Sequence, residues 1–182
     1  MKAAAVLIAA LVLPFAAHAA SWRVDMAHST LGFSGNFQGE AFHGRFRQFD
    51  ASIRYDPKQL DRARFDVHVQ LASVDTQNPE RDQTLTGGEF FAVKQFPVAH
   101  FVTTAFHRLA DGSVTAKGTL ELRGIEQPVT LEVRFQPSGH QAILDVHTTL
   151  DRLAFKLGTD RDWDGIGKQI AVHARLHLER EP

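Results

Sequence analysis

Apolar and polar residues alternate along much of the chain, and this pattern is typical of β-strands with one buried face. The clearest example runs from Ala63 to Leu71, where every second residue is apolar and those between are polar or charged. Shorter stripes of the same kind lie between residues 31 and 55. Five further strands are predicted at Ala99–His107, Val114–Arg123, Val129–Phe135, Ala142–Leu150 and Gln169–Glu179. The pattern therefore predicts an all-β protein.

One segment breaks the alternation and predicts a short helix near residues 79–86. Asn78 is a favoured N-cap residue, Pro79 is tolerated at the first helical position, and Glu80 places an acid in the first turn. A glycine pair at 87–88 follows and favours helix termination there. We therefore expect a single helix between two blocks of strands.

The connections between strands carry turn chemistry or a change of phase. The apolar stripe shifts phase between Phe46 and Phe49, and a bulge near Arg47-Gln48 would explain the shift. Glycine and proline predict turns at residues 111–112, 124–128 and 137–139. Short connections of this kind are typical of antiparallel sheets.

About eight strands with short connections fit either an antiparallel barrel or a sandwich. We favour the barrel because a closed sheet of eight strands can enclose one small ligand. The prediction is an extended eight-stranded antiparallel lipocalin-like barrel with one short helix, formed by a single domain over residues 20–182.

The N-terminus has the pattern of a secretory signal peptide. Lys2 precedes an apolar run over residues 3–17, and Ala17-His18-Ala19 matches a cleavage site of the A-x-A kind. We predict that residues 1–19 are a signal peptide, that cleavage follows Ala19, and that the mature protein is periplasmic. The alternative is an uncleaved N-terminal anchor.

Composition narrows the function classes. The formal net charge is −1 and the charges are interspersed, so the chain carries no basic footprint for nucleic acid and no basic stretch for a membrane surface. The chain contains no cysteine, which excludes a disulfide framework, a thiolate metal site and a cysteine nucleophile. We predict no nucleic-acid partner, no stable membrane insertion and no cofactor, while homodimer formation stays open.

Phenylalanine is over-represented, with 14 Phe against 2 Trp and 1 Tyr. These rings could pack an ordinary core, or they could form the wall of an apolar cavity. The inward stripes also contain very small residues, which would leave unfilled space. The residues predicted to line this interior are Phe33, Phe37, Phe46, Phe65, Val67, Ala116, Gly118, Leu120, Phe135, Ala142, Leu144, Val172 and Ala174. The alternative is that rings from facing strands fill the space.

Ten histidines raise the question of a metal site. His173 and His177 share a strand face, but positions i and i+4 on a strand are roughly 13 Å apart and cannot both bind one ion. His68 and His147 also lie on polar faces, where imidazoles of neighbouring strands could meet at an ion. We interpret these side chains as solvated surface groups and predict no metal site.

A second polar group invites a catalytic interpretation. Asp25, His28 and Ser29 are close in sequence, yet no nucleophile-elbow glycine pattern or oxyanion hole accompanies them. We predict that His28 and Ser29 bond the backbone at a strand bend and that the protein is not an enzyme.

Charged residues also lie within and just before the predicted helix. Asp75, Arg81 and Asp82 are expected to form a polar cluster that closes one end of the barrel. The reason is that a buried carboxylate needs a charged or hydrogen-bonding partner, and Arg81 is the nearest candidate in the sequence.

Short motifs are spread over the whole predicted mature chain. They are Trp22–Asp25, His28–Phe33, Gly44–Phe46, Asp56-Pro57, Asp75-Thr76, Arg81-Asp82, Phe90-Phe91, Phe96-Pro97 and Gly118–Ile125. Each is weak alone, but together they resemble the YceI-like family of exported, lipocalin-like barrels. One position and one segment depart from the family pattern. Gln83 stands where many members carry histidine, and the segment over residues 152–158 replaces a commoner Arg-x-Asp-Phe-Gly form.

The resemblance implies a barrel with a hydrophobic tunnel that holds an amphiphilic chain. The chain is therefore expected to be a periplasmic binding or carrier protein for a polyisoprenoid or an isoprenoid-quinone-like lipid, with any redox or membrane partner open. One alternative is an exported stress-related or structural barrel without a bound lipid. Another is a lipid-modifying enzyme that uses Asp25, His28 and Ser29, or the pair Asp75 and Asp82.

Overall fold

The computed structural model describes residues 20–182, so the predicted signal peptide and its cleavage after Ala19 lie outside the described residues. Strands fill most of this part of the chain. They are β1 Ser21–Phe37, β2 Glu40–Phe46, β3 Phe49–Arg54, β4 Arg64–Gln70, β5 Val74–Asp75, β6 Val98–Arg108, β7 Val114–Leu122, β8 Ile125–Ser138, β9 Gln141–Asp151 and β10 Gln169–Arg180. The α-helix is α1 Pro79–Thr86, and 3₁₀ turns cover Leu60–Arg62, Leu71–Ser73, Arg152–Phe155 and Arg161–Trp163.

The sheet closes on itself because β1 pairs antiparallel with β10 along most of its length. From β10 the order runs through β9, β8, β7, β6, β4 and β3 back to β1. β3 pairs with the start of β1 and β2 pairs with its second half, so the two act as one interrupted strand. The result is a closed antiparallel barrel of eight strands, with the two-residue β5 added beside β2. This confirms the predicted fold.

The interruption between β2 and β3 lies where a bulge was predicted, but its geometry is different. β2 ends at Phe46 and β3 begins at Phe49. The backbone N–H of Arg47 donates to the carbonyl of Ser73 at 3.1 Å, and that of Gln48 donates to the Ser73 hydroxyl at 3.0 Å. The phase shift is therefore a strand break whose polar backbone groups bond a neighbouring turn.

The helix has the bounds and cap that its residues predict. The Asn78 side chain accepts a hydrogen bond from the Arg81 N–H at 3.0 Å, and the Gly87 N–H donates to the Thr84 carbonyl at 3.1 Å. None of the helix residues is buried. Within residues 20–182, no helix combines the length and the apolar character that crossing a membrane requires.

The hairpin between β7 and β8 is tighter than predicted. Arg123 and Gly124 both adopt positive φ, at 55° and 68°, which is typical of a two-residue type I′ turn. Pro128 lies within β8, opposite Thr119, and takes no part in the turn. The predicted longer turn over 124–128 is therefore wrong, because the two residues 123 and 124 already complete the reversal.

Two apolar clusters divide the barrel interior. At one end, which we call the packed end, the rings of Trp22, Tyr55, Phe65, Phe106 and Phe135 contact one another with centroids 4.9–5.8 Å apart. The other, which we call the open end, is built around Phe33, Leu71, Val74, Phe90, Phe91, Phe155 and Leu157. Each long strand runs from one cluster to the other.

Candidate ligand-binding cavity

A cavity of about 440 Å³ occupies the barrel from the open end toward the packed end. Its wall is almost wholly apolar. The aromatic members of the wall are Phe33, Phe37, Phe42, Phe46, Phe49, Phe65, Phe90, Phe91, Phe101, Phe155 and Trp163. Most of the phenylalanines in the chain therefore face a cavity, and the alternative of a barrel filled by its own rings does not describe the open end.

The structure places most of the predicted lining residues on this wall. Those on the wall are Phe33, Phe37, Phe46, Phe65, Val67, Leu120, Leu144, Val172 and Ala174. Their alternation along the strands is the reason, because every second side chain of a barrel strand points inward. Whether they bind a ligand stays a prediction.

Three predicted lining residues lie in the packed end, outside the cavity wall. Ala116 is fully buried in the packed end, and Ala142 is 3% exposed there. Phe135 packs between Trp22 and Tyr55 of the same cluster. The expectation that small inward residues leave open space is thus wrong for these alanines, because large rings of the packed end occupy that space.

Gly118 also lies outside the wall, for a different reason. A Cβ atom at this position would lie 2.5 Å from the carbonyl oxygen of Val102 and 2.6 Å from the ring of Phe101. The missing side chain therefore lets the Phe101 ring lie against β7, and that ring lines the cavity.

Polar groups gather at the mouth of the cavity, where α1 crosses the open end. Asn78, Glu80, Arg81 and Thr84 belong to the lining. The guanidinium carbon of Arg81 lies 5.6 Å from the centroid of the Phe42 ring, within the range of a cation–π contact. The mouth therefore offers charged and hydrogen-bonding groups above an apolar interior.

The Asp75 carboxylate, predicted to pair with Arg81, has other partners. It accepts hydrogen bonds from Arg45 Nε at 2.9 Å, from Arg47 Nε at 3.0 Å and from the Gln77 N–H at 3.1 Å. The Gln77 N–H, followed by the two guanidinium groups, lowers the pKa of Asp75 to about 2. These contacts join β5 to the end of β2.

Asp82 is likewise separate from Arg81. Its Oδ1 atom accepts from the Thr76 N–H at 2.8 Å and from the Thr76 hydroxyl at 2.6 Å. In the part of the chain that the structure describes, Arg81 forms no ion pair with Asp75 or Asp82. The predicted three-residue ion cluster is therefore corrected: Asp75 bonds Arg45, Arg47 and Gln77, Asp82 bonds Thr76, and Arg81 lines the cavity mouth.

Arg152 is a structural residue of this site that sequence reasoning did not single out. It is 5% exposed and donates hydrogen bonds to the carbonyls of five residues that follow it. These residues are Leu157, Gly158, Trp163, Ile166 and Gly167, at 2.5–3.2 Å. Burial lowers the pKa of the Arg152 guanidinium. One side chain thus organises the loop over residues 152–167, several of which line the open end of the cavity.

The group Asp25, His28 and Ser29 lies on the outside of the barrel at an irregularity between β1 and β10. The Ser29 hydroxyl donates to the Asp25 carbonyl at 2.6 Å and accepts from the His177 N–H at 3.0 Å. This confirms that Ser29 bonds the backbone at a strand bend. His28 differs from the prediction, since its Nδ1 atom lies 2.7 Å from the Asp25 carboxylate. The serine hydroxyl is thus bound to backbone groups on two strands.

Comparison with known proteins identifies one domain family over nearly all of the described residues. The profile of the YceI-like domain matches residues 22–178. A UPF0312 protein of Vibrio vulnificus is 30% identical over 177 residues, covering 93% of this chain and 91% of that protein. Sequence and domain length therefore agree over nearly all of the described residues.

Two solved structures share the fold. BcnA of Burkholderia cenocepacia superposes with a TM-score of 0.81 at 23% identity, covering 85% of this chain and 99% of the other. A polyisoprenoid binding domain from Saccharophagus degradans, implicated in plant cell wall breakdown, superposes with a TM-score of 0.69 at 16% identity, covering 91% and 100%. At these identities the likeness concerns the fold alone.

Proposed function

The chain belongs to the YceI-like domain family, and from this membership and its cavity we propose that it holds a polyisoprenoid or isoprenoid-quinone-like lipid inside the barrel. The observation that carries the proposal is the apolar cavity, whose few polar lining residues lie mostly at its mouth. A related fold described as a polyisoprenoid binding domain supports the same ligand class.

The cavity suits an amphiphile better than a polar metabolite. Its volume of about 440 Å³ lies in the range of small-molecule pockets, roughly 300–1,000 Å³. Burial of each methylene group of a tail contributes about 0.8 kcal/mol, which must exceed the cost of immobilising the ligand. A polar metabolite would leave its hydrogen-bonding groups unpaired against this wall.

The orientation of the ligand follows from the two ends of the cavity. Leu144 and Leu176, buried side chains of the packed-end cluster, line its inner part and would contact the tail. Asn78, Glu80 and Arg81 at the mouth would contact the polar head. We propose a carrier role in the periplasm, for which the predicted signal peptide is the support.

Mass spectrometry of an organic extract from the purified protein tests this proposal. We expect a prenyl lipid in the extract of the wild-type protein and at least a tenfold lower amount in Ala174→Trp, because the indole would fill the cavity. Ala171→Trp is the matched control, since Ala171 lies on the same strand but is exposed outside the cavity wall.

The possible results separate the functions. A clean extract from folded wild-type protein would contradict lipid binding and favour a structural role. Conversion of an added prenyl lipid to a product would instead favour a lipid-modifying enzyme. Equal loading of both tryptophan variants would show that a bound lipid lies somewhere other than in this cavity.

A further inference from the structure

Two histidines form a stacked pair on the outer wall of the barrel. His68 on β4 lies directly opposite His100 on β6, with ring centroids 4.2 Å apart and planes inclined by 8°. Their strand neighbours Val67, Val69 and Phe101 line the cavity, so the two imidazoles face outward. The pair is therefore separate from the lipid cavity.

A carboxylate completes the group. Asp66 precedes His68 by two residues and shares its face; its Oδ1 atom lies 2.8 Å from Nε2 of His100 and 3.9 Å from Nδ1 of His68. One ligand atom from each of the three side chains lies within 4.8 Å of the other two. Three groups on two rigid, paired strands are thus held close to one common point.

We propose that Asp66, His68 and His100 bind a divalent transition-metal ion of the Zn²⁺ class. Zinc accepts imidazole nitrogen and carboxylate oxygen at about 2.0–2.2 Å, so its ligands lie within about 4.2 Å of one another. The three side chains are partly exposed, and rotation of the two imidazoles out of their stacked arrangement would direct their lone pairs toward one ion. Two imidazoles and one carboxylate also leave a coordination position for water.

The surrounding charges fit this assignment. Arg64 donates to Oδ2 of Asp66 at 2.9 Å, which orients the carboxylate and leaves Oδ1 facing the imidazoles. Asp50 on β3 lies 3.6 Å from Nδ1 of His68, and Glu121 on β7 is the cross-strand neighbour of His100. Two further carboxylates therefore offset the positive charge of Arg64.

Isothermal titration of the purified, untagged protein with zinc chloride at pH 7.5 tests the proposal. We expect one ion per chain, with at least a tenfold loss of affinity in His68→Ala and in His100→Ala. His147→Ala is the matched control: His147 and His173 also face each other on paired outer strands, but their rings are 6.5 Å apart. Among the described residues they do not form such a cluster with a carboxylate.

Two further measurements keep the result interpretable. Melting in EDTA shows whether each variant is folded, and the histidine ring signals of the wild-type protein in nuclear magnetic resonance report which imidazoles zinc perturbs. Perturbation of His68 and His100 alone supports the site. Absence of binding at 100 µM zinc, or an equal loss of affinity in His147→Ala, would overturn it. Lipid loading should be unchanged in every variant, because these side chains lie outside the cavity.

Discussion

The packed end and the open end use the same strands and the same kind of side chain. Yet the cavity is lined by every buried aromatic ring of the open-end cluster and, among the five rings of the packed end, by Phe65 alone. At the packed end, Phe65 and Phe106 meet edge to face at 4.9 Å, and Tyr55 contacts both rings. At the open end, the rings of Phe33, Phe46 and Phe91 form a chain along the wall. Aromatic content alone therefore does not decide whether a barrel is filled.

The difference lies in what closes each end. Rings carried by the strands themselves fill the packed end, with Trp22 bonded to the Tyr55 carbonyl at 2.9 Å. Segments between strands cover the open end instead: α1, the turn around Phe90 and the loop that Arg152 organises. These segments place the buried rings of Phe90, Phe91 and Phe155 on the cavity wall, and Phe65 of the packed end also lines it.

Truncating a ring at each end should give the largest contrast. Phe106→Ala removes a buried ring of the packed end and should lower the free energy of unfolding by about 3–5 kcal/mol. Phe37→Ala at the rim of the open end, where that ring is 42% exposed, should cost no more than about 1 kcal/mol. Urea unfolding of both variants measures the difference, and similar losses would contradict the division into two ends.

Ala116 lies in the packed-end cluster and Ala174 packs against it, but only Ala174 lines the cavity, so enlarging each should have opposite consequences. Ala116→Trp at the packed end should overpack the core and cost about 1–3 kcal/mol, with lipid loading retained in the protein that folds. Ala174→Trp at the cavity wall should lose the lipid at little cost in stability. The melting temperature and the amount of extracted lipid, measured for both variants, check this pair. Reduced lipid loading in Ala116→Trp without destabilisation would contradict the prediction, because it would mean that the added indole occupies open space beside residue 116.

Removing the guanidinium of Arg152 should loosen the cover of the open end. Arg152→Met leaves buried carbonyls without donors and should destabilise the protein by about 1–3 kcal/mol, with faster release of a fluorescent lipid probe. Arg123→Met is the comparison, because Arg123 also donates to two loop carbonyls, of Gly88 and Lys156, but from the surface. An unchanged release rate in Arg152→Met would exclude a role for the loop in ligand exchange.

Lowering the pH should reduce the stability of the protein through Asp75, which lies at the rim of the open end. Its pKa is about 2 in the folded protein against 3.8 for the free group, so its contribution to stability is complete above about pH 4 and is lost as the pH falls toward 2. Asp75→Asn should therefore be less stable than the wild type at pH 6, and the difference should shrink between pH 4 and pH 2. Melting temperatures over this range measure it; a constant difference would contradict the shifted pKa.

The sequence predicts the elements well because their signals are local. The alternation over Ala63–Leu71 and the Asn78-Pro79 start of the helix need no knowledge of distant residues. Inward positions follow from the same alternation, which is why Phe33, Val67 and Leu144 are placed correctly on the wall.

Other features depend on partners that the alternation does not reveal. Ala116 and Ala174 look alike in sequence and both pack against the packed-end cluster, yet only Ala174 lines the cavity. The stacking of His68 on His100 requires β4 to pair with β6 across the intervening β5 and α1. Arg81 is the arginine close to Asp75 in sequence, whereas Arg45 and Arg47 reach Asp75 across a strand pairing.

The smallest expected effect concerns Arg81 at the cavity mouth. Its contact in the structure is with the Phe42 ring, and an exposed cation–π contact contributes about 0.5–1 kcal/mol. Arg81→Ala should therefore cost no more than about 1 kcal/mol of stability, far below the loss at Phe106. Urea unfolding measures this cost.

The release of lipid probes gives a second test of Arg81. Arg81→Lys retains the charge and should release lipid at a rate close to that of the wild type. Arg81→Ala should accelerate the release of an anionic lipid probe more than that of an uncharged probe. If Arg81→Ala instead lowered the free energy of unfolding by several kcal/mol, the result would support a buried ion cluster of Arg81 with Asp75 and Asp82.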